Sequence, residues 1–301
     1  MTKILVLGAA GRFGTALTES LKNKVTGVLT ADLSPAAEFR LDVMDKLSLH
    51  DFIIREKVTQ VYHLAATLTA GSEQHPLKAW ELNVKGLLNV LDVAKTEGIK
   101  VFWPSSIAVF GPTAPKKDCL QSSATEPVTA YGISKVAGEL WCKYYHEQYG
   151  VDVRSIRYPG LISPASTGRG GTSDYTVDIF HKALKQKNYI SYLKPNTTFP
   201  TMYMPDAVRA AIELMEAKSE LLSIRTAYNV SALSFSPQEL AQEIQEQGVN
   251  FKIDYRIDHR QVIANGWPQT INDKDARHDW NWKAAYNLSG MVKDMLSHLR
   301  I

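Results

Sequence analysis

The chain has 301 residues, 45% hydrophobic and 22% charged, with 18 Gly and 13 Pro; this usage can bury a large core and excludes disorder, fibrous repeats and low complexity. Lys and Arg number 34 against 31 Asp and Glu, a net charge of +3, which gives no dense basic face and so no reason to expect a nucleic-acid partner. Cys119 and Cys142 are far apart in sequence, which indicates neither a disulfide framework nor a thiolate metal cage and fits a reducing compartment.

Met1-Thr2-Lys3 leads straight into Ile4-Leu5-Val6-Leu7, an apolar run too short for a signal segment and ended by Gly8. No run approaches the ~18 apolar residues of a membrane span. A soluble, cytoplasmic protein without a membrane partner is expected. Short β-branched runs at 3–7, 25–31, 38–41, 60–64, 100–104 and 152–157 alternate with stretches of helical period at 13–22, 46–56, 73–97 and 129–149. Such alternation predicts an α/β protein, a Rossmann-type doubly wound parallel sheet. The predicted division is a dinucleotide-binding Rossmann domain over 1–160 and a smaller α/β substrate-binding lobe over 161–301, some of whose segments return to the first. After Arg157 the pattern loosens into a Pro/Gly stretch at 159–164 and a glycine-rich loop at 166–171, long enough to suggest function. Ser236-Pro237-Gln238-Glu239 has the form of a capping box opening a helix.

Gly8-Ala9-Ala10-Gly11-Arg12-Phe13-Gly14 lies between a predicted strand and a predicted helix. In that setting three glycines let backbone amides and a helix N-terminus approach a pyrophosphate. The spacing is GxxGxxG, and a bare triplet would be only a tight turn; the strand-turn-helix context makes it a nucleotide loop. Asp32 ends the second predicted strand, where a carboxylate accepts ribose hydroxyls and repels a 2′-phosphate, so NAD is expected over NADP. Arg12 is the counter-argument, since a guanidinium in the loop could pair with that phosphate. Asp42 and Val43, after the third strand, fall near the adenine by the same topology.

Tyr131-Gly132-Ile133-Ser134-Lys135 places a phenol and an ammonium four residues apart on one helix face. A lysine beside a phenol favours the phenolate, so the pair can supply a base. The spacing alone is common. Ser105-Ser106 strengthens it, because it ends the fifth predicted strand, where parallel sheets present residues to ligands.

These motifs, with His63-Leu64-Ala65-Ala66, Asn83 and Ser105 to Gly111, resemble the extended short-chain dehydrogenase/reductase superfamily over about the first 160 residues. In the second half, 157–163, 170–175, 202–207 and Trp267-Pro268-Gln269 resemble the short-chain L-threonine 3-dehydrogenase family, so that the likeness spans nearly the whole chain. The resemblance implies Tyr131 as base, Lys135 as its activator and ribose clamp, and Ser106 as the orienting hydroxyl. It further implies cofactor contacts from Leu64, Ala65, Ala66, Asn83 and Tyr158, and substrate contacts from Thr69, Thr172, Ser173 and Asp174. The implied chemistry is oxidation of the L-threonine C3 hydroxyl to 2-amino-3-ketobutyrate. Thr69 and Ser173 stand where the family pattern has a serine and a threonine; both keep a hydroxyl.

No histidine pair has metal-ligand spacing, so no metal is expected, and His63 reads as packed or cofactor-adjacent. Trp141, Tyr144, Tyr145 and Tyr149 recur at helical spacing, which suits either the core or a homodimer face; in extended family members the two long helices pair about a two-fold axis. Two alternatives remain open on the sequence: a nucleotide-sugar epimerase or dehydratase on the same scaffold, and a dinucleotide sensor without turnover.

Overall fold

The computed structural model describes residues 2–165 and 171–299. Its strands in chain order are β1 (Ile4–Leu7), β2 (Val28–Asp32), β3 (Phe39–Arg40), β4 (Gln60–His63), β5 (Lys100–Ser106), β6 (Val153–Tyr158), β7 (Gly160–Ile162), β8 (Asn188–Ser191), β9 (Phe199–Tyr203), β10 (Tyr228–Asn229), β11 (Leu233–Phe235) and β12 (Lys252–Tyr255). The α-helices are α1 (Arg12–Lys22), α2 (Lys46–Glu56), α3 (Thr69–Gln74), α4 (Pro76–Trp80), α5 (Gly86–Glu97), α6 (Ala130–Tyr149), α7 (Tyr175–Gln186), α8 (Met204–Glu216), α9 (Pro237–Glu246), α10 (Arg260–Gly266), α11 (Lys274–Trp280) and α12 (Leu288–Leu299).

The main sheet is parallel throughout, in the order β10-β6-β5-β4-β1-β2-β3. This is the doubly wound arrangement predicted from the alternation of periods. Its strands are apolar on both faces because both are covered: β1 is buried at every position. One face packs Ile4, Val6, Tyr62, Phe102 and Ile156 against α1 and α8. The other packs Leu5, Leu7, Val61, Val101 and Trp103 against α2, α5 and α6. The strand order reverses between β1 and β4, which opens a crevice at the carboxyl ends of those strands.

Several predicted elements change. The stretch 73–97 is not one helix: Pro76 disfavours helical geometry at the residue before it, His75 sits at φ −138, ψ 68, and the chain restarts as α4. A π turn, Glu81–Lys85, then precedes α5. The predicted strand at 25–31 begins only at Val28 because the Val25 N–H still bonds Leu21 O, 2.9 Å away, at the end of α1. The strand predicted at 38–41 narrows to two residues.

The second half builds a smaller layer from the sheets β11-β9-β7 and β12-β8 with α7, α9 and α12 around their own core. The capping box at α9 forms as its sequence suggests: Glu239 N–H donates to Ser236 Oγ, and Ser236 N–H donates to Glu239 Oε2 at 2.7 Å. The chain also crosses back. β10 pairs with β6, and α8 packs on α1 and β6, so residues beyond 200 complete the main sheet and its cover. Among the described residues no helix is long and apolar enough to cross a membrane.

Candidate active site

The chain turns at once after β1. Gly8 has φ +80, and a Cβ there would lie 2.6 Å from Ala65 N, so only glycine allows both the left-handed backbone and the close passage of the β4 end. At Gly14 a Cβ would meet Gly8 O at 2.4 Å, which fixes how tightly α1 starts over the loop. Gly11 caps α1 in extended geometry without a side-chain bond, leaving a helix N-terminus at the crevice. Asp32 closes the other side: its Oδ2 accepts the Ala10 N–H at 3.0 Å and its Oδ1 the Ser34 N–H at 3.0 Å. Each oxygen retains acceptor capacity. A cradle that a Cβ would fill, an uncapped helix N-terminus and a carboxylate at the second strand end together fit the pyrophosphate and ribose of a dinucleotide.

Other residues expected at the cofactor hold the cradle from behind. Phe13 lies edge-on to Tyr158, ring centroids 5.2 Å apart, while the Tyr158 hydroxyl is buried and donates to Ala207 O at 2.8 Å. Tyr158 is thus a packing residue in this structure, drawn inward because β6 is central and covered by α8. Val43 is likewise buried, with its carbonyl bonded by Asn89 Nδ2 at 2.9 Å, and Asp42 Oδ1 accepts the Met44 N–H of its own turn. Asn83 is buried in the π turn with its amide committed: Oδ1 accepts the Thr67 N–H at 2.8 Å, while Nδ2 donates to Thr67 O and to Ser134 Oγ. It clamps the strip after β4, so that half-buried Leu64, Ala65 and Ala66 line the crevice beside Gly8. Arg12 is half-buried and makes interactions of its own.

Tyr131 and Lys135 lie on α6, opened by the Thr129 hydroxyl, which accepts the Gly132 N–H at 3.0 Å. Ser106 is the last residue of β5; its hydroxyl accepts the Ala108 N–H at 3.2 Å and stands near enough to the Tyr131 phenol to lower its proton affinity. The helix can come this close to β5 because Gly138 leaves room for the Trp103 ring; a Cβ there would lie 2.3 Å from it. Lys135 is 2% exposed, donates from Nζ to Pro104 O at 2.6 Å, and stands 4.4 Å over the Trp103 ring and 5.5 Å from the Tyr131 ring centroid. Burial pulls the Lys135 ammonium down to about 7. It pushes the Tyr131 phenol up to about 12, against the Ser106 hydroxyl, which lowers it. The lysine stands beside the phenol ring, where its positive charge favours the phenolate.

The substrate-side candidates converge on the same edge. Ser106 is in register with Tyr158, and two residues later Gly160 packs against Ser173, whose Cβ is 2.9 Å from where a Gly160 Cβ would stand. The 3-10 turn Thr172–Asp174 therefore sits beside the ends of β5 and β6. Thr172 is buried; the Asp174 carboxylate accepts the Gly171 N–H at 2.9 Å and so shapes that turn. Thr69 starts α3, which packs on α6 and carries Glu73, the acceptor of the Tyr131 N–H. Most of the glycine-rich loop, 166–170, lies outside the described residues. His63 is packed as expected, with both ring nitrogens buried and unpartnered; burial and then the Lys135 charge push it down to about 3, so it is neutral. Among the described residues no group of three or more His, Cys, Asp or Glu is placed to hold a metal ion.

Sequence reasoning missed Thr67, Trp103 and Glu139. Glu139 had a visible signal, since Tyr131, Lys135 and Glu139 form an i, i+4, i+8 series on one helix face. Trp103 had none, because its role depends on which helix crosses above it.

Comparison with known proteins agrees with this geometry. The sequence profile of the NAD dependent epimerase/dehydratase family matches residues 4–231. An uncharacterized epimerase/dehydratase of Staphylococcus haemolyticus is 41% identical, covering 98% of this chain and 97% of its own. Among solved structures, the holo form of a GalE-like L-threonine dehydrogenase from Cupriavidus necator is 49% identical over 99% of both chains, with a TM-score of 0.96. A monomeric L-threonine 3-dehydrogenase from a metagenome, in its apo form, is 42% identical over 99% of this chain and 98% of its own, with a TM-score of 0.94. The chain belongs to the NAD dependent epimerase/dehydratase family.

Proposed function

We propose that the protein oxidises L-threonine at C3 to 2-amino-3-ketobutyrate. The carrying observation is the Ser106–Tyr131–Lys135 constellation at the carboxyl edge of β5, beside a dinucleotide cradle. The solved L-threonine dehydrogenase at 49% identity supports threonine as the substrate. NAD, when bound, accepts the hydride that leaves C3. Tyr131 takes the proton of the C3 hydroxyl, and Ser106, at the end of β5 beside the phenol, orients that hydroxyl. Lys135 supplies the positive charge that stabilises phenolate character at Tyr131. Gly8, Gly11, Gly14 and Asp32 hold the dinucleotide; Thr69, Thr172, Ser173 and Asp174 surround the amino acid. No metal takes part in this reading.

The assembly that fits is a cytoplasmic homodimer. α4 exposes Leu77 and Trp80, and α6 exposes Ile133, Leu140, Trp141 and Tyr144 at helical spacing. Of Trp141, Tyr144, Tyr145 and Tyr149, only Tyr145 is buried. A patch of this kind suits self-association through paired helices.

The test is NADH formation from NAD with L-threonine, run beside L-serine, L-allo-threonine, a simple secondary alcohol and UDP-glucose. L-Threonine turns over, unaffected by a chelator. Tyr131→Phe keeps NAD binding and loses about 10²–10⁴-fold in rate. Full activity in that variant removes Tyr131 as base, and inert threonine with intact NAD binding removes the substrate reading in favour of a nucleotide sugar or a sensing role.

A further inference from the structure

Behind Lys135 lies a charged network that the proposed reaction does not use. Glu139 is 3% exposed and Arg157 4% exposed, and they pair inside the protein with Nη2 to Oε2 at 2.8 Å and Nε to Oε1 at 2.9 Å. Ser105 Oγ, on the residue next to Ser106, donates to Glu139 Oε1 at 2.6 Å. Arg157 Nη1 continues to Gln121 O and Asn229 Oδ1, and Asn229 Nδ2 donates to Cys119 O. One carboxylate on α6 thus ties β5, β6, β10 and the 119–121 loop to the helix that carries Tyr131 and Lys135.

A buried ion pair is a costly way to hold a fold, since apolar residues of the same volume often do as well. Its placement points to a second role. Glu139 follows Lys135 by one helical turn. The groups around the Lys135 ammonium are Tyr131, Glu139 and Cys142 on α6 and His63 on β4, with Arg157 of β6 behind Glu139. His63 is neutral. Burial lowers the Lys135 proton affinity, while Cys142 and Glu139 oppose that effect; burial pushes the Cys142 thiol far above its ordinary range, so it carries no charge near neutral pH. Glu139 is the anion left to act.

We propose that Glu139 is a positioning residue for the reaction: its carboxylate seats α6 against β5 and β6, and its charge keeps Lys135 an ammonium beside Tyr131. The proposal rests on the dehydrogenase reading. With one proton shared by the pair, the active arrangement has it on Lys135 and the inactive one has it on Tyr131. Removing the Glu139 charge favours the inactive arrangement and lets the doubly protonated pair lose its first proton more easily.

The experiment is the pH profile of kcat/KM for the alcohol at saturating NAD, in wild type, Glu139→Gln, Glu139→Asp and the double variant Glu139→Gln/Arg157→Gln, with NAD affinity measured alongside. The double variant leaves no unpaired buried charge, so it serves where Glu139→Gln alone folds poorly. Both neutralised forms are expected to lose about tenfold or more on the plateau while their rising limb moves to lower pH by about half a unit or more. Glu139→Asp keeps the wild-type limb whatever its rate. A rate loss in the neutralised forms with an unmoved limb, or a limb that moves equally in Glu139→Asp, overturns the electrostatic role. Wild-type protein without alcohol oxidation would instead overturn the reading beneath it.

Discussion

Lys135 shows how one residue sets stability against activity. Its proton affinity is pulled down to about 7 in the folded chain, against about 10.4 for an unperturbed lysine. Between those values the unfolded chain holds a proton that the folded one does not, so this group makes stability rise with pH across that window and costs most at and below its lower end. Lys135→Met therefore abolishes turnover and raises Tm, with a larger gain at pH 7 than at pH 10; thermal melts at both values check it, and an equal or smaller gain at pH 7 contradicts the burial argument. The residue's type and spacing were legible in the sequence, because a helix brings positions four apart together whatever surrounds them. Its depth was not, since the Pro104 carbonyl and the Trp103 face come from a strand more than thirty positions away.

At the scale of elements, the site depends on how closely α6 approaches β5. Gly138 is the point of contact, where Trp103 occupies the space a side chain would need. Gly138→Ala forces the ring or the helix to move and costs about 1–3 kcal/mol, the usual range for overpacking a core. Urea denaturation should show that loss, together with a fall in kcat as Tyr131 shifts from Ser106. Adding Trp103→Leu should restore most of the stability; a Gly138→Ala protein as stable as wild type would mean that the contact is slack. The same scale holds the clearest departure from sequence expectation. Apolar periodicity ran unbroken from 73 to 97, yet Pro76 splits it, and the π turn that follows brings Asn83 to Thr67. Pro76 was visible, but its effect competes with periodicity, and only the packed structure shows which prevails.

Across the whole molecule, the exposed row Ile133, Leu140, Trp141 and Tyr144, with Leu77 and Trp80 beside it, is apolar surface on helices that are otherwise packed. Wild-type protein is expected to sediment as a dimer, and Leu140→Arg with Tyr144→Glu as a monomer with unchanged circular dichroism. A monomeric wild type leaves that face without its proposed partner. The homologous monomeric L-threonine 3-dehydrogenase makes this measurement decisive for this chain, because the fold itself does not compel pairing.

Sequence alone determined what depends on local periods and on backbone geometry. Alternating two- and 3.6-residue patterns required a parallel sheet between helices, and the glycine triplet after β1 required a tight turn into a helix N-terminus. The tertiary structure alone decided which side chains are spent on holding the site. Asn83 grips Thr67, Tyr158 turns inward to Ala207, Glu139 joins Ser105 to Arg157, and β10 returns from beyond residue 220 to complete the main sheet. Each of these joins residues distant in sequence, and such partners are chosen by burial and hydrogen-bond satisfaction in the folded chain, which no local pattern encodes.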